Sequence, residues 1–202
     1  MKQSGEFAVA LLAGGKSRRM GKDKALIQLD GGPLWKRGLE LLRRLEPSKL
    51  IVSLNSEQLE LGEDVSGAGA EVVVDQPGCS DPLSALEQCL SAAKGLPVLL
   101  MAVDMPAMSD VFLRDRLLSD VSFDTGRCFR GRRLQPFGAI YPQSILRTVS
   151  EQLAKADFSL SNCILRAQEE GLMEEMALAP EEEYYFENVN RPEDMQAFRH
   201  GR

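Results

Sequence analysis

FAVALLAGGKSRRMGKDK, Phe7 to Lys24, is the stretch on which the reading of the chain turns. Phe7 to Leu11 is an unbroken apolar run, and Leu12 to Lys24 reads as a strand emptying into a basic, glycine-bearing loop. Ala13, Gly14 and Gly15 leave the backbone uncluttered where an anion must come close, since glycine carries no Cβ and tolerates unusual backbone angles. Lys16, Arg18, Arg19, Lys22 and Lys24 supply cations. Small residues and clustered cations at the carboxyl end of a strand suit a polyphosphate better than they suit packing. Two common phosphate motifs are excluded by spacing. A Walker A loop needs four residues before its Gly-Lys pair and Ser or Thr after it, whereas Gly15 and Gly21 enclose five residues and Asp23 follows Lys22. The dinucleotide fingerprint fails because Gly14 and Gly15 are adjacent and the next glycine is Gly21.

Outward from this stretch, apolar runs alternate with helical patterns in the order expected of a parallel sheet covered by helices on both faces. Pro33 to Leu45 spaces its leucines as an amphipathic helix does. Lys49 to Leu54 reads as a strand leaving at Asn55, Glu71 to Val74 as a strand leaving at Asp75, and Leu96 to Val103 as the most buried strand, ending on Asp104. Asp81-Pro82 predicts a helix start, an N-cap followed by proline at the first position, for a helix to about Ala93. A short helix is expected over Asp110 to Leu118 with Ser109 as its cap, then a hairpin from Arg127 to Arg130 and Leu134 to Tyr141. Helices over Pro142 to Ala154 and Asn162 to Glu170, a strand near Met173 to Leu178 and a helix from Arg191 to Arg199 capped by Asn190 complete the expectation. The fold class is therefore α/β, with a mostly parallel sheet that becomes mixed toward the C-terminus, in a single domain over residues 1–202.

Composition narrows the function. A chain of 202 residues, 44% hydrophobic, can build one substantial core. No apolar run approaches the ~20 residues that cross a bilayer, and the short N-terminal run flows into cations with no small-residue cleavage pattern, so a cytoplasmic protein without a membrane partner is expected. A net charge of −6 repels nucleic acid at long range, whereas a small anion meets the local cations of the loop. Cys79, Cys89, Cys128 and Cys163 form no CxxC pair, which argues against zinc and for buried, reduced thiols. The one histidine, His200, stands two residues from the C-terminus, which disfavours histidine-base mechanisms. Ligands of open parallel sheets gather at the carboxyl ends of strands. Asp104 there is a cation ligand or a turn cap, and Asp75 a second carboxylate, a nucleotide contact or a turn residue.

The stretch LAGGKSRRMGKDKAL resembles the signature of the molybdenum cofactor guanylyltransferases and their nucleotidyltransferase relatives, with Leu12 to Gly15, Arg19 to Gly21 and Lys24 in the family's order. The resemblance continues through Asn55, Asp75, the DMP of Asp104 to Pro106, QPFGAIY from Gln135 and NVNRPEDM from Asn188. It implies a Rossmann-like three-layer sandwich and transfer of GMP from GTP to a molybdopterin phosphate, with release of pyrophosphate and formation of the guanine dinucleotide cofactor. Cofactor-delivery proteins and molybdoenzymes are the implied protein partners. Carried over residue by residue, the backbone at Leu12, Ala13 and Gly14 contacts the nucleotide, with Gly15 beside it. Lys24 binds phosphate, Arg19 helps to hold the leaving pyrophosphate, Asn55 and Asp75 line the nucleotide site, and Asp104 binds magnesium. Lys24 and Asp104 are then the catalytic pair. A phosphate nucleophile is already ionised at neutral pH, so in-line displacement needs alignment and charge neutralisation rather than a base.

One departure concerns the family's Gly-Pro-Leu followed by a small residue and glycine, which here is Asp81-Pro82-Leu83-Ser84-Ala85. Asp81 would repel an acceptor phosphate, or cap the helix and point away. Two other readings stand beside the first: a related nucleotidyltransferase using CTP or another nucleotide, with Gly14 as the discriminating residue because cytidine-specific relatives tend to carry alanine there, and a nucleotide-binding regulator or cofactor carrier that has lost catalysis through the Asp81 change.

Overall fold

The computed structural model describes residues 6–14, 23–29, 32–75, 81–119 and 123–189. The central strand β1, Ala8–Leu12, alternates large and small side chains: Val9 and Leu11 face one apolar cluster, Ala8 and Ala10 the other. A strand covered on both faces by helices reads as such a continuous apolar run. Further along, a 3-10 turn at Lys24–Leu26 leads into a two-residue pair, β2 (Gln28–Leu29) with β3 (Gly32–Pro33), and then to helix α1, Leu34–Arg43. α1 buries Leu34, Trp35, Gly38, Leu39 and Leu42. Gly38 lets the helix lie close on the sheet, since a Cβ there would stand 3.0 Å from the Leu11 side chain and crowd it.

The chain then lays β4 (Lys49–Leu54), α2 (Leu59–Gly67) and β5 (Glu71–Val74) on one side of β1, and returns through α3 (Pro82–Ala92) to β6 (Val98–Ala102) on its other side. β1 pairs in parallel with both β4 and β6. The order reverses at β1, so the crevice between β1 and β6 is a topological switch point, where open α/β sheets bind ligands. A three-residue helix α4 (Asp110–Phe112) opens into a π-helical turn at Leu113–Leu117, followed by β7 (Gly126–Arg130), β8 (Leu134–Tyr141), α5 (Leu146–Ala154), α6 (Leu160–Glu169), β9 (Met173–Ala177) and a 3-10 segment at Pro180–Phe186. The sheet reads β5-β4-β1-β6-β8-β7-β9, and β8 alone runs against the rest.

α1, α2 and α4 pack on one face of the sheet, α3, α5 and α6 on the other, giving the expected three layers and mixed C-terminal part. Most differences from the sequence expectation are local. The segment Asp110 to Leu118 is helical as expected, but in α4 and a π turn whose Leu118 N–H bonds the Leu113 carbonyl. α2 has no counterpart in the sequence expectation: LELGEDVSG carries two glycines and three acids, and it is held by Leu61 and Val65, four residues apart on the face toward the core. The helix expected over Arg191 to Arg199, its Asn190 cap, Cys79 and His200 lie outside the described residues. No described helix is long and apolar enough to cross a membrane.

Candidate active site

The ladder of the sheet continues past its strand ends and shapes a floor. Ala13 N–H bonds the Ser53 carbonyl at 2.9 Å, Val103 N–H the Leu12 carbonyl at 3.0 Å, and Asp75 N–H the Leu54 carbonyl at 2.8 Å. Above it lies a cavity of about 240 Å³ whose lining includes Leu12, Gly14, Lys24, Asp75, Asp81 and Asp104. That is slightly below the ~300–1,000 Å³ usual for small-molecule sites, so a nucleotide-sized ligand would extend beyond its rim. A larger cavity of about 330 Å³ lies between α1 and the segment after β6, beside Arg37, Arg44 and Asp110, and is lined by Met105 and Pro106 of the DMP motif but by none of the candidate site residues.

Gly14 makes the close approach possible. It is not in the left-handed region, yet a Cβ there would stand 2.8 Å from Asn55 N, 3.0 Å from Leu54 C and 3.1 Å from Asp75 Oδ2. Ala13 is buried behind it, with its N–H on Ser53 and its carbonyl accepting from Gln58 Nε2. Asn55 is buried as well. Its Oδ1 accepts from Glu57 N–H in an Asx turn that ends β4, and it touches the site through its backbone beside Gly14.

Lys24 and Asp104, 80 residues apart in the chain, meet across the cavity: Lys24 Nζ lies 2.8 Å from Asp104 Oδ2, with the side chains 17% and 15% exposed. Asp23 presents the lysine, its Oδ1 accepting from Ala25 N–H to open the 3-10 turn. Asp104 is fixed from the far end of the chain, since Val189 N–H bonds its carbonyl at 2.9 Å and brings Asn188 into the wall. Asp75 accepts from Ser53 Oγ at 3.0 Å. Burial raises its carboxyl above the usual range, the Ser53 hydroxyl pulls it back, and the Asp81 charge raises it further. Asp81 settles between the two roles left open for it. Its oxygens accept from Ser84 N–H and Ser84 Oγ, both at 2.8 Å, capping α3, yet the carboxylate stays in the cavity wall.

Gly15 and Arg19 lie outside the described residues. Sequence reasoning misses Ser53, which lines the cavity, and Gln58, which is bonded beneath it, and reaches Phe137 and Asn188 only within motifs. Ser53 carries a signal, a hydroxyl interrupting the apolar run of β4, whereas nothing local marks Gln58. Burial drives the Cys89 thiol to about 12, with the Asp75 charge adding to it, and Cys128 likewise to about 12, so neither is a nucleophile. Among the described residues no cluster of three or more His, Cys, Asp or Glu is arranged to hold a metal. Asp75 and Asp104 line the same cavity, a carboxylate pair of the kind that serves magnesium together with substrate phosphates rather than an all-protein cage.

Residues 9–171 match the MobA-like NTP transferase domain. The chain belongs to that family. It is 32% identical over 192 residues to a protein named "probable molybdenum cofactor guanylyltransferase" from Opitutus terrae, covering 93% of this chain and 92% of that one. It is 28% identical over 191 residues to the molybdenum cofactor guanylyltransferase of Pseudomonas putida, covering 94% and 95%. The fold matches that of molybdopterin-guanine dinucleotide biosynthesis protein A from Archaeoglobus fulgidus with a TM-score of 0.74 at 19% identity, over 96% and 97% of the two chains. Within this MobA-like family the chain is a nucleotidyltransferase with a mostly parallel, partly mixed sheet.

Proposed function

We propose that this nucleotidyltransferase moves GMP from GTP onto the phosphate of molybdopterin and releases pyrophosphate. The observation that carries the reading is the convergence of Gly14, Lys24, Asp75 and Asp104 on one cavity at the β1/β6 switch point, in a chain whose relatives bear that activity in their names.

The residues suit each part of the reaction. Gly14 lets the nucleotide lie against the exits of β1 and β4, where any side chain would collide with the Asn55 backbone. The buried Asp75 carboxylate is an acceptor pair facing a base whose edge offers donors, as guanine does with its ring N–H and amino group. Lys24 leaves Asp104 for substrate phosphate, neutralising charge where it develops. Asp104, released by the same exchange, would hold a divalent cation, and magnesium there would supply charge neutralisation for the reacting phosphate. The acceptor phosphate is ionised at neutral pH, so the absence of histidine from the described cavity lining costs nothing.

Thermal unfolding with magnesium and GTP, CTP or ATP in turn tests the nucleotide, because a ligand held only by the folded state raises the melting temperature. GTP is expected to raise it most, and adding molybdopterin to release pyrophosphate. Stabilisation by CTP and not GTP would assign the chain to a cytidine-using relative. GTP binding with no pyrophosphate release would leave a nucleotide binder and sink the transferase reading.

A further inference from the structure

Gln58 occupies the N-cap position of α2 but makes no capping bond to that helix, although it is only 6% exposed. Its amide is turned to the site instead. Nε2 donates to the Ala13 carbonyl at 3.1 Å and also to Asp23 Oδ2, while Oε1 accepts from Asn55 N–H at 2.9 Å. The other Asp23 oxygen accepts from Ala25 N–H at 2.9 Å and so opens the turn that carries Lys24. One neutral amide therefore joins the exit of β1, the exit of β4 and the lysine-bearing turn. Its polarity fits in one sense only, with two acceptors before its nitrogen and one donor before its oxygen.

We infer that Gln58 is a positioning residue: it holds Asp23, and through Asp23 it sets Lys24 opposite Asp104. The role given to Lys24 on substrate phosphate rests on the function proposed above, but the geometry of the tether does not. The buried Asn55 N–H and Ala13 carbonyl ask for an amide here in any case; what marks the positioning role is that Asp23 is acceptor to both Gln58 and Ala25 at once. Gln58→Glu keeps the size of the side chain and sets a carboxylate against the Ala13 carbonyl and the Asp23 carboxylate. Asp23→Asn keeps one oxygen where two are in use, so one of the two bonds is lost. Combining them restores the tether with reversed polarity: the amide nitrogen introduced at position 23 donates to the carboxylate introduced at position 58, while the remaining amide oxygen still accepts from Ala25 N–H.

The test is this cycle of two single variants and the double variant in the full chain, with two readouts. The first is the KM and kcat for magnesium-GTP, or for CTP if that is the nucleotide the wild type uses. Gln58→Glu is expected to raise the nucleotide KM by about tenfold, the scale of a lost hydrogen bond to a charged group, with the acceptor KM unchanged. The double variant should recover the share of that loss owed to the Asp23 pairing, while the repulsion from the Ala13 carbonyl stays; such partial recovery is the signature of a coupled pair. The second readout needs no nucleotide: acylation of Lys24 by an amine-reactive ester, followed by peptide mass spectrometry. Lys24 is expected to react faster in each single variant and to return toward the wild-type rate in the double variant.

Unchanged nucleotide KM and unchanged Lys24 reactivity in Gln58→Glu would overturn the inference. So would losses in the single variants with no recovery in the double variant. If Gln58→Glu does not fold, Asp23→Asn at its partly exposed position carries the same expectation alone, and wild-type Lys24 reactivity in it rejects the tether. A wild type that binds no nucleoside triphosphate sinks the proposed function, while the labelling pattern still decides the role of Gln58.

Discussion

Adding one methyl group at Gly14 is the sharpest test of how this site is built. Gly14→Ala makes no backbone demand, since the glycine is not in the left-handed region. Its cost is steric. The new Cβ would sit 2.8 Å from the Asn55 backbone nitrogen, about 0.6 Å inside the 3.4 Å at which ordinary contact begins, and a backbone atom cannot rotate away. It would also stand 3.0 Å from Leu54 C and 3.1 Å from Asp75 Oδ2, so the exit of β1 must move away from that of β4 by several tenths of an ångström. Overpacking of this kind costs about 1–3 kcal/mol, and at about 2–4 °C per kcal/mol for a chain of this length the Tm should fall by about 2–12 °C. The displaced atoms belong to Leu54, Asn55 and Asp75, so under the proposed function the loss falls on base recognition as well as on the fold. The resemblance, under which cytidine-using relatives tend to carry alanine here, gives the change a direction. Calorimetric melting of Gly14→Ala with and without GTP and CTP is the assay, and the stabilisation by GTP relative to CTP should drop. A variant that melts with the wild type and keeps its GTP preference would refute the steric argument.

Asp75→Asn removes a charge that burial disfavours. Because the folded carboxyl is raised, its stabilising contribution is present at acid pH and lost as pH rises through the folded value. The variant should therefore melt no lower than wild type near neutral pH, lose that advantage at acid pH, and bind the nucleotide more weakly; a lower Tm at neutral pH with intact binding contradicts this. Asp81→Asn keeps an oxygen for the Ser84 N–H cap and removes a negative charge from the cavity wall, so the KM for an anionic acceptor should fall about fivefold, equivalent to ~1 kcal/mol of relieved repulsion. No change in that KM would mean that the Asp81 charge does not reach the acceptor. Asp104→Asn should fold normally and lose transfer at any magnesium concentration, and Lys24→Ala should raise the nucleotide KM and slow transfer together. Wild-type turnover of either variant removes that residue from the site.

Much of this architecture can be read from the chain, and the reasons differ by element. β4 is legible to the residue, Lys49–Leu54, because a run of apolar and β-branched residues lies between polar ends. Asp104 is legible as a site residue because an acid directly after VLLMAV has little to gain from packing. α2 is not, since its helix is held by two tertiary contacts, Leu61 and Val65, rather than by propensity. The pairing of Lys24 with Asp104 and the triple bond set of Gln58 are equally invisible. Each depends on which strand ends the topology brings together, and no local pattern encodes that.

The strand order also says something about how the chain becomes a protein. Ala8 in β1 pairs with Lys49 in β4 but also with Val98 in β6, a partner made roughly ninety residues later. Contacts of such separation are slow to form, because closing the intervening loop precedes any reward from the pairing. Until β6 arrives, a growing chain offers one edge of β1 as an unsatisfied row of backbone groups, open to pairing with another chain. The residues that end β6 and face Lys24 join at the same moment that this edge is sealed. The cavity is thus completed by the pairing that closes the sheet around β1, and a half-made chain carries the glycine floor without the carboxylate that answers it.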